Sequence, residues 1–349
     1  MSLSESEPLR PGNRSMASVT EPRYKQTQAW TWLRESWMGE WSRSWRKCRR
    51  ELWAWKECES VVSPPVQQIL NSISVLEAQV PDSAEVEKDI EAPIFLLSTG
   101  WRAGSTLLQR ILVTDPRVLL WGEPMGEMVI VAKLAEAMSH FISPRNLQLW
   151  KDQEDPSAAS LPTSWVANLY PSSRDFRLAL RRLFDQWLGE PARRRGFSRW
   201  GFKEVRLGAT EASFLHWLYP KAKFVFISRH PYDCYRSLAD SHWDQVYYRH
   251  PDVPVDSAAS FARHWNRLAV AWSDLPGGFP SCHIKYEDLI TGKVDFRQLE
   301  SWLDIEIKES VALSVSVGGT AKRSQLSWYE RLIISHEAAS GMRSLGYSK

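Results

Sequence analysis

Two hydrophobic periods alternate along most of this chain. Short apolar runs suit buried strands at Ile94 to Leu97, Trp200 to Glu204, Phe224 to Ile227 and Cys282 to Lys285. Leu119-Leu120-Trp121 closes the first strand–helix unit. Between the runs, apolar residues recur at helical spacing. Leu107, Leu108, Ile111 and Leu112 share one side of a helix starting at Ser105. Further helices are predicted over 126–142, 174–189, 208–218, 257–274, 295–304 and 326–339, with a short one starting at Tyr286. No internal repeat interrupts the alternation. The pattern predicts an α/β fold, a parallel sheet flanked by helices, with ligands at the carboxyl ends of its strands.

The first quarter of the chain follows another rule. Residues 1–25 are rich in Ser, Glu, Pro and Arg and read as a disordered tail. Residues 26–80 read as a Trp-rich helical extension, broken at Ser63-Pro64-Pro65 and resumed from Val66. Seven of the nineteen tryptophans fall within 26–58, and Trp30, Leu33, Trp37, Trp41, Trp45, Cys48, Leu52 and Trp55 form a stripe among many arginines. Such a stripe could pack onto the rest of the chain, grip a partner or lie peripherally on a membrane. Residues 81–92 are the linker into a catalytic domain over 93–349, and the proline-bearing stretch 143–173 is either a substrate lid or plain surface.

Length and composition leave room for one large domain plus the extension, since the chain has 349 residues. A net charge of +3 gives no nucleic-acid footprint. The four cysteines, Cys48, Cys58, Cys234 and Cys282, form no Cys-x-x-Cys pair and suit a reducing interior. No metal-ligand cluster, secretory signal or transmembrane run stands out, so the expectation is a cytoplasmic protein, with peripheral membrane contact open through residues 26–58. Arg193-Arg194-Arg195 reads as a solvated basic turn.

The chemistry is concentrated around residues 93–123. Gly100 and Gly104 bracket a turn between a strand and a helix, an arrangement that aims free backbone N–H groups at an anion. Ser105 and Thr106 add hydroxyls. An ATP-type loop needs Gly-Lys-Ser/Thr, whereas here Ser105 follows Gly104 directly and the cation is Arg102. Trp101-Arg102-Ala103-Gly104-Ser105-Thr106 instead resembles the 5′-phosphosulfate loop of sulfotransferases that use 3′-phosphoadenosine 5′-phosphosulfate (PAPS), approximately Pro-Arg/Lys-Ser-Gly-Thr-Thr. Arg229, directly after a strand, and Ser237, eight positions on, match that superfamily's 3′-phosphate pair. Glu123 stands where the tyrosylprotein sulfotransferases carry their general base, and Lys203 matches their catalytic lysine by order and context. Gly318 to Arg323 resembles in position the loop that closes over the 3′-phosphate, which makes Lys322 and Arg323 candidates. Tyr286-Glu287-Asp288-Leu289 also resembles the superfamily and reads as structural.

The resemblance covers roughly 92–340 and is nearest in motif to the tyrosylprotein and bacterial branch. It implies a P-loop-type sheet and transfer of a sulfuryl group from PAPS, leaving 3′-phosphoadenosine 5′-phosphate (PAP), with no metal required. The acceptor would bear a hydroxyl and could be a small molecule, glycan, lipid or peptide. Trp121, Trp150, Trp165, Trp243, Tyr247 and Tyr248 hint at a ring or sugar face, and Leu107 replaces a frequent adenine-stacking Trp. The plainer readings are that Glu123 opens a helix beside Pro124 and that Lys203 and Glu204 form a surface ion pair. Two other functions stay open: a P-loop kinase using ATP and Mg²⁺, and an adaptor that works through the Trp-rich extension.

Overall fold

The computed structural model describes residues 44–56, 65–78, 91–124, 126, 129–140, 161–163, 173–240, 249–250, 253–308 and 325–348. The chain divides into two compact units, Met1–Arg50 and Glu51–Lys349. In the first, residues 44–50 are helical, with Cys48 buried and Trp45 exposed. Trp30, Leu33, Trp37 and Trp41 of the predicted stripe lie outside the described residues, as do 1–25 and most of the linker and of 143–173.

The second unit is built on five parallel strands: β1 (Ile94–Ser98), β2 (Val118–Trp121), β3 (Arg199–Glu204), β4 (Lys223–Ser228) and β5 (Ser281–Lys285). Their order is β2-β3-β1-β4-β5, and all pairs are parallel. Each connection therefore crosses over through helical structure. Every residue of β1 is buried, which is why it reads as a continuous apolar run.

Alternate side chains leave the sheet on opposite faces. Phe95 and Leu97 enter one cluster with Phe202, Phe224 and Phe226. Helices α1 (Val66–Glu77), α3 (Ile130–Ser139), α4 (Ser173–Phe184) and α5 (Ala209–Leu218) contribute to that side. Ile94 and Leu96 face the other way, against α2 (Ser105–Leu112) and α8 (Phe296–Leu303). A third cluster joins α6 (Pro231–Ala239), α7 (Ala258–Ala271), α9 (Trp328–Glu337) and α10 (Ala339–Ser344) to Trp101 and Ala103. No helix of the described residues is long and apolar enough to cross a membrane.

Several boundaries differ from the sequence expectation. The helix expected from 126 starts at Ile130, because Gly126 (φ 49°) and Val129 (φ 39°) are left-handed and cannot extend it. The helix expected over 174–189 gives way at Asp185 to one wide turn, then a short helix to Arg193. Arg193 is not simply solvated: it pairs with Glu91, Asp185 and Glu190. Within 51–56 the predicted stripe is met at Trp55, which packs against the core, and not at Leu52. Leu52 is exposed, while Glu51 is buried and accepts the backbone N–H of Ala258 at the start of α7 (3.0 Å). Trp55 is half-buried, and its indole donates to Glu337 (2.6 Å).

One glycine sets how closely two strands approach. A Cβ at Gly201 would lie 1.8 Å from the carbonyl oxygen of Ile94 on β1. Gly201→Ala must push β3 from β1 and is expected to lower the unfolding free energy by about 1–3 kcal/mol, read by urea denaturation.

Candidate active site

The parallel order brings the segments after β1, β2, β3 and β4 to one end of the sheet. The loop after β1 is anchored first: Thr99 N–H donates to Ile227 O (3.1 Å), and Ser98 Oγ to Gly100 O (3.0 Å). It then turns through three left-handed residues, Gly100 (φ 114°), Arg102 (φ 64°) and Gly104 (φ 92°). Alternation of right- and left-handed backbone turns successive N–H groups into a concavity suited to an anion. Gly104 caps α2 without a side chain, and Leu107 N–H already donates to Gly104 O (3.0 Å), so the N–H groups of Ser105 and Thr106 at the start of an eight-residue helix are the ones left for a ligand. Gly104 is also required sterically, since a Cβ there would meet the Tyr286 ring at 2.3 Å.

Trp101 and Ala103 are buried and Arg102 between them is exposed. The two residues that depart from the resembled loop are thus its anchors. Ala103 can offer a ligand only its backbone, because its side chain is in the core. Ser105 is buried and Thr106 exposed at the helix start. Leu107 is buried in the core behind the loop, so it offers no stacking surface.

Arg229 and Ser237 both reach Arg102. The Arg229 guanidinium donates to the Arg102 carbonyl (3.1 Å), and Arg102 Nε donates to Ser237 Oγ (3.0 Å). Arg229 follows β4 directly, and Ser237 lies two turns along α6. The guanidinium stacks 4.3 Å from the Tyr286 ring centre. Arg229 Nε and Thr99 Oγ1 are buried without a hydrogen-bond partner among the described residues. A buried guanidinium N–H with no partner is costly unless a ligand meets it.

Glu123 and Lys203 also meet. Gln109 on α2 donates to the carbonyl of Leu120 (2.8 Å), which fixes the end of β2 just before Glu123. Pro124 lies in a turn after Glu123, and Gly126 N–H donates to Glu123 O (3.1 Å); the rest of the helix start expected there lies partly outside the described residues. Lys203 Nζ donates to Glu123 Oε1 (2.6 Å), and Arg206 to Glu123 Oε2 (2.8 Å). Arg206 also holds the buried Glu204 (2.9 Å). Lys203 and Glu204 are therefore not a surface pair: both are buried, each with its own partner. Burial pushes Glu123 up, but the Lys203 and Arg206 charges outweigh it and hold the carboxyl below its usual range. Burial likewise pushes Glu204 up, to about 6, against the pull of Arg206.

Arg206 is the residue sequence reasoning missed. Its signal was the charged series Lys203-Glu204-Val205-Arg206 on leaving a strand, too much charge for a buried strand end unless paired. Its guanidinium lies 5.4 Å over the Trp101 ring, and Trp101 packs on His264. Trp101 thus sits between the Glu123 group and the Arg102 group. The Trp121 indole donates to Leu188 O (3.0 Å), and the Arg195 guanidinium lies 5.7 Å over its ring. Trp150, Trp165, Trp243, Tyr247, Tyr248, Lys322 and Arg323 lie outside the described residues.

A model of the Sulfotransferase family matches residues 93–309. Among solved structures, a sulfotransferase from Alicyclobacillus acidocaldarius is 16% identical, with 73% of this chain and 95% of that one covered and a TM-score of 0.40. The sulfotransferase domain from the curacin biosynthetic pathway is 15% identical, with 74% and 99% covered and a TM-score of 0.39. Sulfotransferase STF9 from Mycobacterium avium is 16% identical, with 81% and 85% covered and a TM-score of 0.38. No curated protein matches the chain.

The two carboxyls give a pH signature. Glu204 moves from 4.5 to about 6 on folding, so in that window the native state binds more protons than the unfolded one. Its contribution to stability therefore falls as pH rises through the window, by about 2 kcal/mol in all. Glu204→Gln is expected to remove that loss, so its unfolding free energy gains on the wild type between pH 4.5 and about 6 in denaturation curves.

Proposed function

The chain belongs to the sulfotransferase family, and from that premise we propose that it moves a sulfuryl group from PAPS to an acceptor hydroxyl, with Glu123 as general base. The observation that carries this reading is the convergence of Arg229 and Ser237 on Arg102 beside the anion-ready start of α2. The buried Arg229 Nε, without a hydrogen-bond partner among the described residues, supports a phosphate there. A phosphate at Arg229, in addition to one at the loop, is what separates PAPS from ATP.

In this reading the bound donor supplies the sulfuryl group. The backbone N–H groups after Gly100, through Ala103 and Gly104 to Ser105 and Thr106, with the side chains of Arg102, Ser105 and Thr106, hold the 5′-phosphosulfate. Arg229 and Ser237 hold the 3′-phosphate, and Lys322 and Arg323 are further candidates for it. Glu123 takes the acceptor proton. A carboxylate offers about four lone-pair sites, so two cation partners leave room for a hydroxyl. Its depressed pKa keeps it ionised and ready, though a weak base, so proton transfer follows charge development on the acceptor oxygen. Lys203, 2.6 Å from Glu123, and Arg102 offset charge that grows on the departing side. The protein's own cations do this work, so the reading calls for no metal. Free thiols at Cys48, Cys234 and Cys282 suit a reducing, cytoplasmic setting.

Two measurements test it. Glu123→Gln is expected to keep PAP affinity while kcat falls by about a hundredfold or more; unchanged turnover would remove the base. In calorimetry the wild type is expected to prefer PAP over 5′-AMP and ATP. Arg229→Ala should lose about tenfold or more of that preference, and retention would overturn the 3′-phosphate assignment.

A further inference from the structure

The segment after α10 returns to the end of β4. Gly346 (φ 66°) turns it, and Lys285 Nζ, which donates to Gly346 O (3.3 Å), lies 4.9 Å over the Tyr347 ring. The Tyr347 hydroxyl then enters a half-buried network. It donates to Glu287 Oε2 (3.1 Å) and lies 2.9 Å from Ser228 Oγ, which lies 2.8 Å from His283 Nε2. A proton order His283 to Ser228 to Tyr347 to Glu287 satisfies every link and ends on the carboxylate. The other oxygen of Glu287 accepts the backbone N–H of His230 (2.9 Å). The His230 ring stands edge-on to Tyr347, and its Nε2 lies 3.0 Å from Ser348 O.

Ser228 and His230 are the two neighbours of Arg229. The network therefore grips the chain on both sides of that arginine. Its carbonyl is held separately, by the Trp265 indole (3.1 Å). Among the described residues no hydrogen bond joins the network to the guanidinium, which meets Arg102 O and the Tyr286 ring. Burial raises the Tyr347 phenol, so it stays a donor.

We infer that Tyr347 is a positioning residue for Arg229: through Ser228 and Glu287 it fixes the 228–230 turn that presents the guanidinium to a 3′-phosphate. This rests on the 3′-phosphate reading of Arg229. A turn held at both neighbours loses less freedom when the ligand arrives, so the effect should appear in the 3′-phosphate contribution to binding and nowhere else.

The test is calorimetric titration of the full chain with PAP and with 5′-AMP, for wild type, Tyr347→Phe, Glu287→Gln and Arg229→Ala. Tyr347→Phe keeps the ring and removes only the hydroxyl. It is expected to lower the preference for PAP over 5′-AMP by about three- to tenfold, with 5′-AMP affinity little changed. Glu287→Gln should move it the same way. An unchanged preference in both, with Arg229→Ala abolishing it, would overturn the clamp and leave the phosphate site standing. An equal fall for both nucleotides would make Tyr347 merely structural and overturn it too. A preference that survives Arg229→Ala would sink the phosphate reading, and this inference with it.

Discussion

Once β1 is hydrogen-bonded to β3 on one side and to β4 on the other, Ser98, Glu204 and Ser228 must all end at the same edge of the sheet. Parallel pairing allows no other outcome, and the site follows from it. The first loop lies between the segments that leave β3 and β4. It therefore meets Arg206 on one flank, through Trp101, and Arg229 on the other. The tight approach at Gly201 keeps β3 close enough to β1 for this to happen.

That edge gathers charge in a place with little water. Lys203, Glu204 and Arg206 are all buried, and Glu123 half-closes the group from β2. Two cations and two carboxylates balance formally, which is the condition under which such burial is tolerable; losing one member would leave an uncompensated charge costing about 3–5 kcal/mol. The cluster is not symmetric. Glu123 faces two cations and is held below its usual range, whereas the deeper Glu204 has Arg206 alone and is raised. One environment thus keeps a carboxylate ionised at the more open position and makes its neighbour easy to protonate. Separation of this kind between two nearby acids is how sites distribute proton roles.

The sheet was legible because fully buried parallel strands must be apolar throughout, and Ile94 to Leu97 and Phe224 to Ile227 say so directly. The turn after β1 was legible from its glycines, a local constraint on the backbone, whereas Arg229 and Ser237 were singled out only by their resemblance to a family's phosphate-binding pair. What escaped was set by partners far away in sequence. Arg206 draws no notice until Glu123, 83 positions away, is brought to it. Arg193 reads as solvated until Glu91 closes on it. Glu287 reads as a helix-start acid, although it binds His230 and Tyr347. The late start of α3 escaped for a different reason: Val129 is left-handed, which no pattern of polarity encodes.

The loop itself joins the two halves of the argument. Arg102 is a non-glycine residue with positive φ, a conformation that costs about 1 kcal/mol or more. Its neighbours hold it there. Burying Trp101 contributes about 2–3 kcal/mol, enough to offset the strain, and Ala103 seats the other side. In the resembled loop those positions are approximately Pro and Ser, which would turn the chain by a fixed dihedral and a hydroxyl. Here packing does the same work from below. The consequence is that Arg102 is forced outward with its carbonyl free for Arg229 and its guanidinium free for Ser237. A single strained residue, fixed by the core beneath it, thereby ties the loop to α6 and to the end of β4. An anion arriving at that point meets groups whose geometry the fold has already set.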